Sequence, residues 1–231
     1  SSVSPIFPGS VTINNPSDTI LIILVVGSDD GCVPDTAFQE FLTHPDPIAD
    51  FGVSPDSGCH ILSVQVSDSA FFIPSDAPLS WQYVIENIGL PNSTDTLNVI
   101  PSPLLSLTNT SNDEDSAYSI TQIVTSVNNC SSSSTDTVVV HPEPLASFVL
   151  DSLDLCADSP LSVTGLTNNS VYDVVEGWLW TVDNGGVLDD SLAFEPMLSF
   201  PDNQSGVDTT YTIELFVESQ YGCIDSTSAT I

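Results

Sequence analysis

Residues 44–51 read His-Pro-Asp-Pro-Ile-Ala-Asp-Phe, and residues 141–148 read His-Pro-Glu-Pro-Leu-Ala-Ser-Phe, 97 positions later. Eight positions after each phenylalanine comes a cysteine, and twenty-two positions after that comes a tryptophan. The matched residues are Cys59 with Trp81 in one copy and Cys156 with Trp178 in the other. Spacings that agree without gaps indicate an internal repeat.

The later part of this repeat occurs three times. Apolar, strand-like segments begin at Ile20, Tyr118 and Tyr211, and a cysteine follows each of them twelve positions on. Those cysteines are Cys32, Cys130 and Cys223. The chain is therefore interpreted as parts of three copies of one unit.

The repeat predicts the domain limits. Residues 1–45 form the C-terminal part of one repeat, residues 46–143 a complete repeat, and residues 144–231 a nearly complete one. Because the first and last copies are partial, we expect the segment to belong to a longer array with further copies on both sides. The Pro-rich joints at 44–47 and 141–144 are interpreted as stiff linkers, since proline fixes φ.

Periodicity within each repeat predicts β-strands. Residues 211–217 alternate apolar with polar side chains, as a half-buried strand does. Clusters of Gly, Pro, Asn, Asp and Ser separate such runs at intervals of about 8–12 residues, which is typical of all-β sandwiches. No segment carries a sustained helical stripe. We predict an all-β fold of tandem sandwiches in a linear array, with 97 positions per unit.

The charge composition excludes several functions. The 231 residues include 31 Asp plus Glu and no Lys or Arg, for a formal charge of −31. Without basic side chains there is no patch for nucleic acid, no phosphate clamp and no Schiff-base lysine. The chain is nevertheless 41% hydrophobic, unlike a disordered polyanion. The apolar run 20–26 is too short to span a membrane, so no direct membrane insertion is expected.

The motif order resembles that of PKD (polycystic kidney disease) domains. It runs from an early cysteine to Trp-x-aromatic and a Gly-containing turn, and then through Tyr-x-Ile-x-Leu-x-Val to a late cysteine. The match is closest to the repeats of large bacterial surface proteins and adhesins exported by type IX secretion. The usual Trp-x-Phe-Gly-Asp-Gly turn is degenerate at 178–186 and more so at 81–89. The resemblance implies immunoglobulin-like sandwiches with structural or adhesive roles.

The cysteine spacing predicts disulfides within each repeat. Cys59 would pair with Cys130 over 71 positions, and Cys156 with Cys223 over 67 positions. Cys32 would pair with a cysteine upstream of the segment. Buried free thiols are the alternative. Disulfides would indicate an oxidising compartment, and so an extracellular, cell-surface location.

Acidic loops are the best candidates for binding a cation. They lie at residues 29–30, 112–115 and 189–190, and Ca²⁺ prefers carboxylate and carbonyl oxygens. Solvated loops without a bound ion are the alternative, and no cofactor is otherwise predicted. His44 and His141 occupy equivalent linker positions, so we interpret them as linker residues, with an inter-repeat metal site as the alternative.

Two aromatic pairs and a glycosylation pattern complete the candidate sites. Trp81 with Tyr83, and Trp178 with Trp180, are spaced as residues on one strand face, either as core residues or as a sugar-binding platform. Asp-Ser/Thr followed by a small or apolar residue resembles the O-glycosylation pattern of the same bacteria. The aspartates are Asp18, Asp35, Asp68, Asp95, Asp115, Asp136, Asp151, Asp190, Asp208 and Asp225.

The hypothesis that follows is a non-enzymatic stalk or fibre segment of a giant extracellular adhesin or surface filament. Its partners would be the neighbouring repeats of the same chain, with lateral homo-oligomers or filaments and O-linked glycans as further possibilities. The alternative is an accessory carbohydrate- or protein-binding module of a secreted hydrolase. No Ser–His–Asp spacing recurs between the copies and no catalytic motif is present, so no enzyme is expected.

Overall fold

The computed structural model describes residues 19–27, 33–90, 93–98, 101–111, 113–152, 156, 159–167 and 174–231. Every regular element in these ranges is a β-strand, and they contain no helix of the length and apolarity that crossing a bilayer requires. The prediction of an all-β, immunoglobulin-like fold is confirmed by the strand order and register given below. The predicted domain limits stay predictions.

An isolated hairpin precedes the sandwiches. Strands β1 (Thr19–Val26) and β2 (Asp35–Leu42) pair antiparallel along their whole length, from Thr19 opposite Leu42 to Val26 opposite Asp35. Apolar side chains of both strands are exposed, including Ile23 at 56% and Phe38 at 73%. The pairing therefore satisfies the backbone but leaves an apolar face uncovered.

The first sandwich contains two sheets built from eight strands. The strands are β3 (Phe51–Ser54), β4 (Ser57–Cys59), β5 (Leu62–Asp68), β6 (Pro78–Asn87), β7 (Thr94–Asn98), β8 (Leu104–Leu107), β9 (Ser116–Ser126) and β10 (Ser131–His141). One sheet has the order β3-β5-β8 and the other the order β4-β10-β9-β6-β7. The short β4 runs parallel to β10, while the remaining pairs are antiparallel. An edge strand that switches sheets in this way is a feature of immunoglobulin-like sandwiches.

The second sandwich has a similar plan, but its described residues contain seven strands, with no counterpart of β4, and one strand pairs differently. The strands are β11 (Ala146–Leu150), β12 (Leu161–Thr167), β13 (Val175–Val182), β14 (Val187–Leu188), β15 (Met197–Ser199), β16 (Thr212–Ser219) and β17 (Ile224–Thr230). Its sheets have the orders β13-β16-β17 and β11-β12-β15-β14. In this sandwich β14, which follows β13, pairs with β15. In the first sandwich the equivalent β7 pairs with the strand before it, β6. A tight turn with positive φ at Asn184 and Gly185 ends β13 earlier and redirects the chain.

Each sandwich encloses its own core between its two sheets. In the first, Val64 and Val66 of one sheet face Tyr83, Ile120 and other buried residues of the opposite sheet. In the second, the core gathers around the fully buried Trp180. Alternation along each strand sends every second side chain inward, which is why a period of two in the sequence marks the core face.

Candidate functional site

The two sandwiches meet at the linker that follows β10. His141 is the last residue of β10 and pairs with Cys59 of the parallel strand β4. Residues 142–145 read Pro-Glu-Pro-Leu, and β11 begins at Ala146. The two prolines lack a backbone N–H and have a fixed φ, so this short connection is stiff. The end of β10 and the edge strand β4 therefore face the beginning of the second sandwich.

A disulfide joins the two sandwiches at this junction. It links Cys59 of β4 to Cys223 in the turn between β16 and β17, with the two Cα atoms 5.4 Å apart. Cys223 is buried, with 1% of its surface exposed. The backbone of its turn is fixed by a hydrogen bond from the Gly222 amide to the Ser219 carbonyl at 2.9 Å and by a positive φ at Gly222. The bridge thus spans 164 positions of sequence.

This connectivity corrects the predicted pairing within repeats, which was wrong. Cys59 lies beside His141 at one end of β10, whereas Cys130 immediately precedes Ser131 at the other end. Ten residue steps along a strand cover about 33 Å, far beyond the roughly 7 Å limit between the Cα atoms of a disulfide. Cys130 and Cys156 are free thiols. Cys32 lies outside the described residues.

Aromatic stacking supports the disulfide junction. The His141 ring stacks on the Tyr221 ring, with centroids 3.8 Å apart and planes 4° from parallel. On its other side, His141 donates from Nδ1 to the Asp115 carboxylate at 2.9 Å. Within the second sandwich, the Ala146 amide at the end of the linker donates to Asp225 Oδ2 at 2.7 Å, which holds the start of β11 against the hairpin of Cys223. The junction therefore combines the disulfide, the stacked rings of His141 and Tyr221, and the Asp225 carboxylate that accepts from the first amide of β11.

A matching set of contacts surrounds the first linker. The Ala49 amide donates to Ser132 Oγ at 2.8 Å, as the equivalent Ala146 does to Asp225. His44 Nδ1 lies 3.2 Å from Asn128 Nδ2, where His141 meets Tyr221. Sequence reasoning identified both histidines as linker residues. It missed the partners of these histidines, which stand two positions before the late cysteine of each repeat, and the partners of Ala49 and Ala146, which stand two positions after it.

The acidic loops hold local backbone. Asp189 Oδ1 accepts from the amides of Asp190 at 2.7 Å and Met197 at 2.8 Å, and Asp115 holds His141. The described residues contain no group of three or more His, Cys, Asp or Glu side chains arranged to hold a metal ion. Residues 29 and 30 lie outside the described ranges. The expectation of Ca²⁺ at these loops therefore stays a prediction without a site.

The aromatic pairs belong to the cores, as the core interpretation predicted. Tyr83 and Trp180 are fully buried, while Trp81 and Trp178 are partly buried and pack against the same cores. The indoles of the latter two make edge contacts with Phe72 and Phe194. Their ring nitrogens are buried without a hydrogen-bond partner. Neither pair therefore offers the open, polar-edged platform that would bind a sugar.

Comparison with known proteins yields distant structural likenesses only. No protein-family model matches the chain, and no curated protein matches it. The FN1-FN3 domains of chicken CNTN1 match with a TM-score of 0.34 and 12% identity, covering 90% of this chain and 75% of that one. The human desmocollin-1 ectodomain matches at 0.30 and 10%, covering 92% and 43%. Extracellular cadherin domains 1-4 of protocadherin gamma B7 match at 0.28 and 14%, covering 94% and 57%. These likenesses are too distant to add to the fold assignment, which rests on strand order and register.

Proposed function

We propose that this chain is a non-enzymatic structural segment of an extracellular stalk or surface filament, built of PKD-like sandwiches that follow one another in a linear array. The proposal extends to an origin in a large adhesin exported by type IX secretion, as the sequence resemblance implies. Mechanically, each sandwich adds length, and each junction keeps the next sandwich in a fixed direction. The distal end of such an array would carry the adhesive element.

The observation that carries the proposal is the covalent joint between Cys59 and Cys223. A peptide linker alone allows two sandwiches to pivot, but a second covalent connection beside the linker restricts the bend. In the chain-entropy account, closing a loop of 164 residues stabilises the folded chain by about 5 kcal/mol. That is a large share of the roughly 5–15 kcal/mol stability of a domain. Such a bridge persists in the oxidising environment outside the cell.

The exposed hairpin supports an array with a sandwich on its N-terminal side. Strands β1 and β2 occupy the repeat positions of β9 with β10 and of β16 with β17. The later hairpins bury apolar side chains such as Val138 and Ile213, whereas the equivalent face of β1 and β2 is exposed. Exposed apolar patches of this kind mark surfaces that another element covers. In an array, the rest of the preceding repeat would cover this face.

The composition suits exposure to a protease-rich environment. With no Lys or Arg, the chain has no site for a trypsin-like protease. Repulsion along a chain of charge −31 opposes collapse onto itself. The hydroxyl residues that follow the ten candidate glycosylation aspartates are all at least partly exposed, so glycans on them would not disturb a core. Stability then depends on the two cores and the disulfide.

Small-angle scattering of the oxidised chain tests the proposal. We expect a maximum dimension of at least twice the length of an 11-residue strand, or about 72 Å, because the proposed array places the sandwiches end to end. The double variant Cys59→Ser/Cys223→Ser should show a broader distribution of dimensions, since the joint can then bend. A compact particle about one sandwich long would overturn the stalk proposal. Tight binding of the oxidised chain to cellulose or chitin would favour the accessory-module alternative.

A further inference from the structure

We infer that the two free cysteines of the described residues, Cys130 and Cys156, each belong to a repeating disulfide, in which the early cysteine of each repeat bonds the late cysteine of the repeat that follows. Cys59 and Cys223 are one complete link of this kind. Cys130 would then bond the early cysteine of the preceding repeat, and Cys156 the late cysteine of the following repeat. The inference rests on the proposed array and specifies its covalent connectivity.

The hairpin turn of Cys130 has the same construction as that of Cys223. The Cys130 amide donates to Ser126 Oγ at 3.3 Å, and the Cys223 amide donates to Ser219 Oγ at 3.1 Å. The residue before each cysteine has a positive φ, 62° at Asn129 and 78° at Gly222. The turn that carries Cys130 therefore has the same hydrogen bond and positive φ as the turn that carries Cys223, which forms the disulfide.

The surroundings of Cys130 also match those of Cys223. Its Sγ lies 3.7 Å from the His44 carbonyl, so it faces the linker that enters its own repeat. Cys223 likewise sits at the linker that enters its own repeat, and there it meets Cys59 of the preceding repeat. The contacts of Ala49 with Ser132 and of Ala146 with Asp225 place the two hairpins alike against their linkers. An early cysteine of a preceding sandwich would therefore meet Cys130 where Cys59 meets Cys223.

Cys156 is the equivalent of Cys59 on the other side of a junction. It stands eight positions after Phe148, as Cys59 stands eight positions after Phe51, and it is exposed. Bonding within the repeat is excluded because Cys223 is already occupied. Because Cys59 lies beside His141, the last residue of β10, the equivalent Cys156 would be available in the same way to the late hairpin of the next repeat.

Formation of each disulfide is an oxidation, which needs a separate electron acceptor. Two thiols lose two protons and two electrons as the S–S bond forms. The electrons reduce the disulfide of an oxidised thiol–disulfide partner, such as oxidised glutathione, whose two sulfurs become thiols. One link forms per junction, so a chain of repeats acquires a continuous series of bridges, each parallel to a Pro-rich linker.

A lengthened chain tests the connectivity directly. Residues 45–141 are duplicated in frame after His141, which inserts one full repeat between the two present sandwiches. In the test variant, serine replaces every cysteine except Cys59 of the first copy and Cys130 of the second. In the matched control, the two remaining cysteines are Cys59 and Cys130 of the same copy. Both are refolded with oxidised and reduced glutathione, checked for β-structure by circular dichroism, and treated with a thiol alkylating reagent.

We expect the test variant to lose two hydrogen atoms in mass and to resist alkylation, while the control takes up two alkyl groups. A bridge in the control, or none in either chain, would overturn the inference. As a second measurement, the lengthened chain with all its cysteines is digested with pepsin and its linked peptides are mapped. Bridges within a repeat would again overturn the inference. Small-angle scattering separates the two proposals. A compact particle that contains the expected disulfides would overturn the stalk proposal but would still support disulfides between successive repeats.

Discussion

The two sandwiches solve the same packing problem with different side chains. At the centre of the first, Tyr83 is joined by Gln122 and Asp68; at the repeat-equivalent positions of the second stand Trp180, Leu215 and Gly165. Gln122 Nε2 donates to Tyr83 Oη at 2.9 Å and to Asp68 Oδ1 at 2.7 Å. The first core therefore contains a polar cluster that the second replaces with apolar groups.

The difference shows which properties the repeat preserves. The larger indole of Trp180 is accommodated because position 165 is glycine, where an added Cβ would lie 3.2 Å from the Phe194 carbonyl oxygen and 3.4 Å from the indole. Both central rings end in a donor that reaches a backbone carbonyl, Pro101 for Tyr83 and Ala193 for Trp180. A buried aromatic ring with a polar end is therefore retained in both cores, while the size of the ring and the neighbouring residues differ.

The largest expected effect is the loss of the central ring of the second sandwich. Trp180→Ala should lower the free energy of unfolding by about 3–5 kcal/mol, because it removes a fully buried indole and leaves a cavity. Trp178→Ala is the control, since that side chain is only partly buried. Guanidinium unfolding followed by circular dichroism measures both. Equal losses for the two variants would contradict the assigned core.

Gln122 and Leu215 occupy equivalent positions of the two repeats, and exchanging them should change the stability of the two sandwiches unequally. Leu215→Gln places an amide in an apolar core and should cost about 3 kcal/mol, since the new donor and acceptor have no partners. The reverse exchange, Gln122→Leu, should change stability by no more than about 1 kcal/mol, because Gln122 Oε1 is already buried without a partner. Urea unfolding of the two variants provides the comparison. Similar losses would mean that the polar cluster stabilises the first core more than its geometry indicates.

Filling the glycine position should have an intermediate effect. Gly165→Val should destabilise the chain by about 1–3 kcal/mol, because the new side chain crowds Trp180 and the Phe194 backbone. Gly52→Val is the matched strand control, since an added Cβ there meets nothing within 4 Å. Thermal unfolding would record a lower midpoint for the first variant only. A neutral Gly165→Val would show that the second core is looser than described.

The smallest effect is a dependence of stability on alkaline pH. Burial raises the pKa of Tyr83 above 10.0, and the charge of Asp68 adds to this, while the Gln122 hydrogen bond acts in the opposite direction. The neutral phenol is thus favoured in the folded state, so its contribution is complete below the unfolded pKa and is lost as pH rises through the folded pKa. Tyr83→Phe should flatten the fall in unfolding free energy between about pH 9 and about pH 11. Identical slopes would contradict burial of the phenol.

The sequence predicted the elements whose signal is local or periodic. The repeat and the alternation of residues 211–217 were sufficient to predict an all-β fold. The Trp-x-aromatic pairs indicated either core rings or a sugar-binding platform, and the structure places them in the cores. The Pro-rich segment after His141 also indicated a joint. These features depend on short-range spacing, which a single sequence displays directly.

The disulfide connectivity could not be predicted from the same information. Pairing within a repeat and pairing between successive repeats both use one early and one late cysteine, so the spacing is equally regular for each. The choice depends on which end of the sandwich each thiol occupies. That is set by β4 pairing in parallel with the end of β10, through Cys59 opposite His141. A three-residue edge strand carries too little pattern to reveal its register.

Disulfide mapping of the 231-residue oxidised chain tests the central claim most directly. After alkylation of free thiols, peptic digestion and mass spectrometry, we predict a linked peptide pair that contains Cys59 and Cys223, with alkyl groups on Cys130 and Cys156. Reduction before digestion should separate that pair and serves as the control. Peptides that link Cys59 to Cys130 and Cys156 to Cys223 would contradict a covalent joint between the two sandwiches.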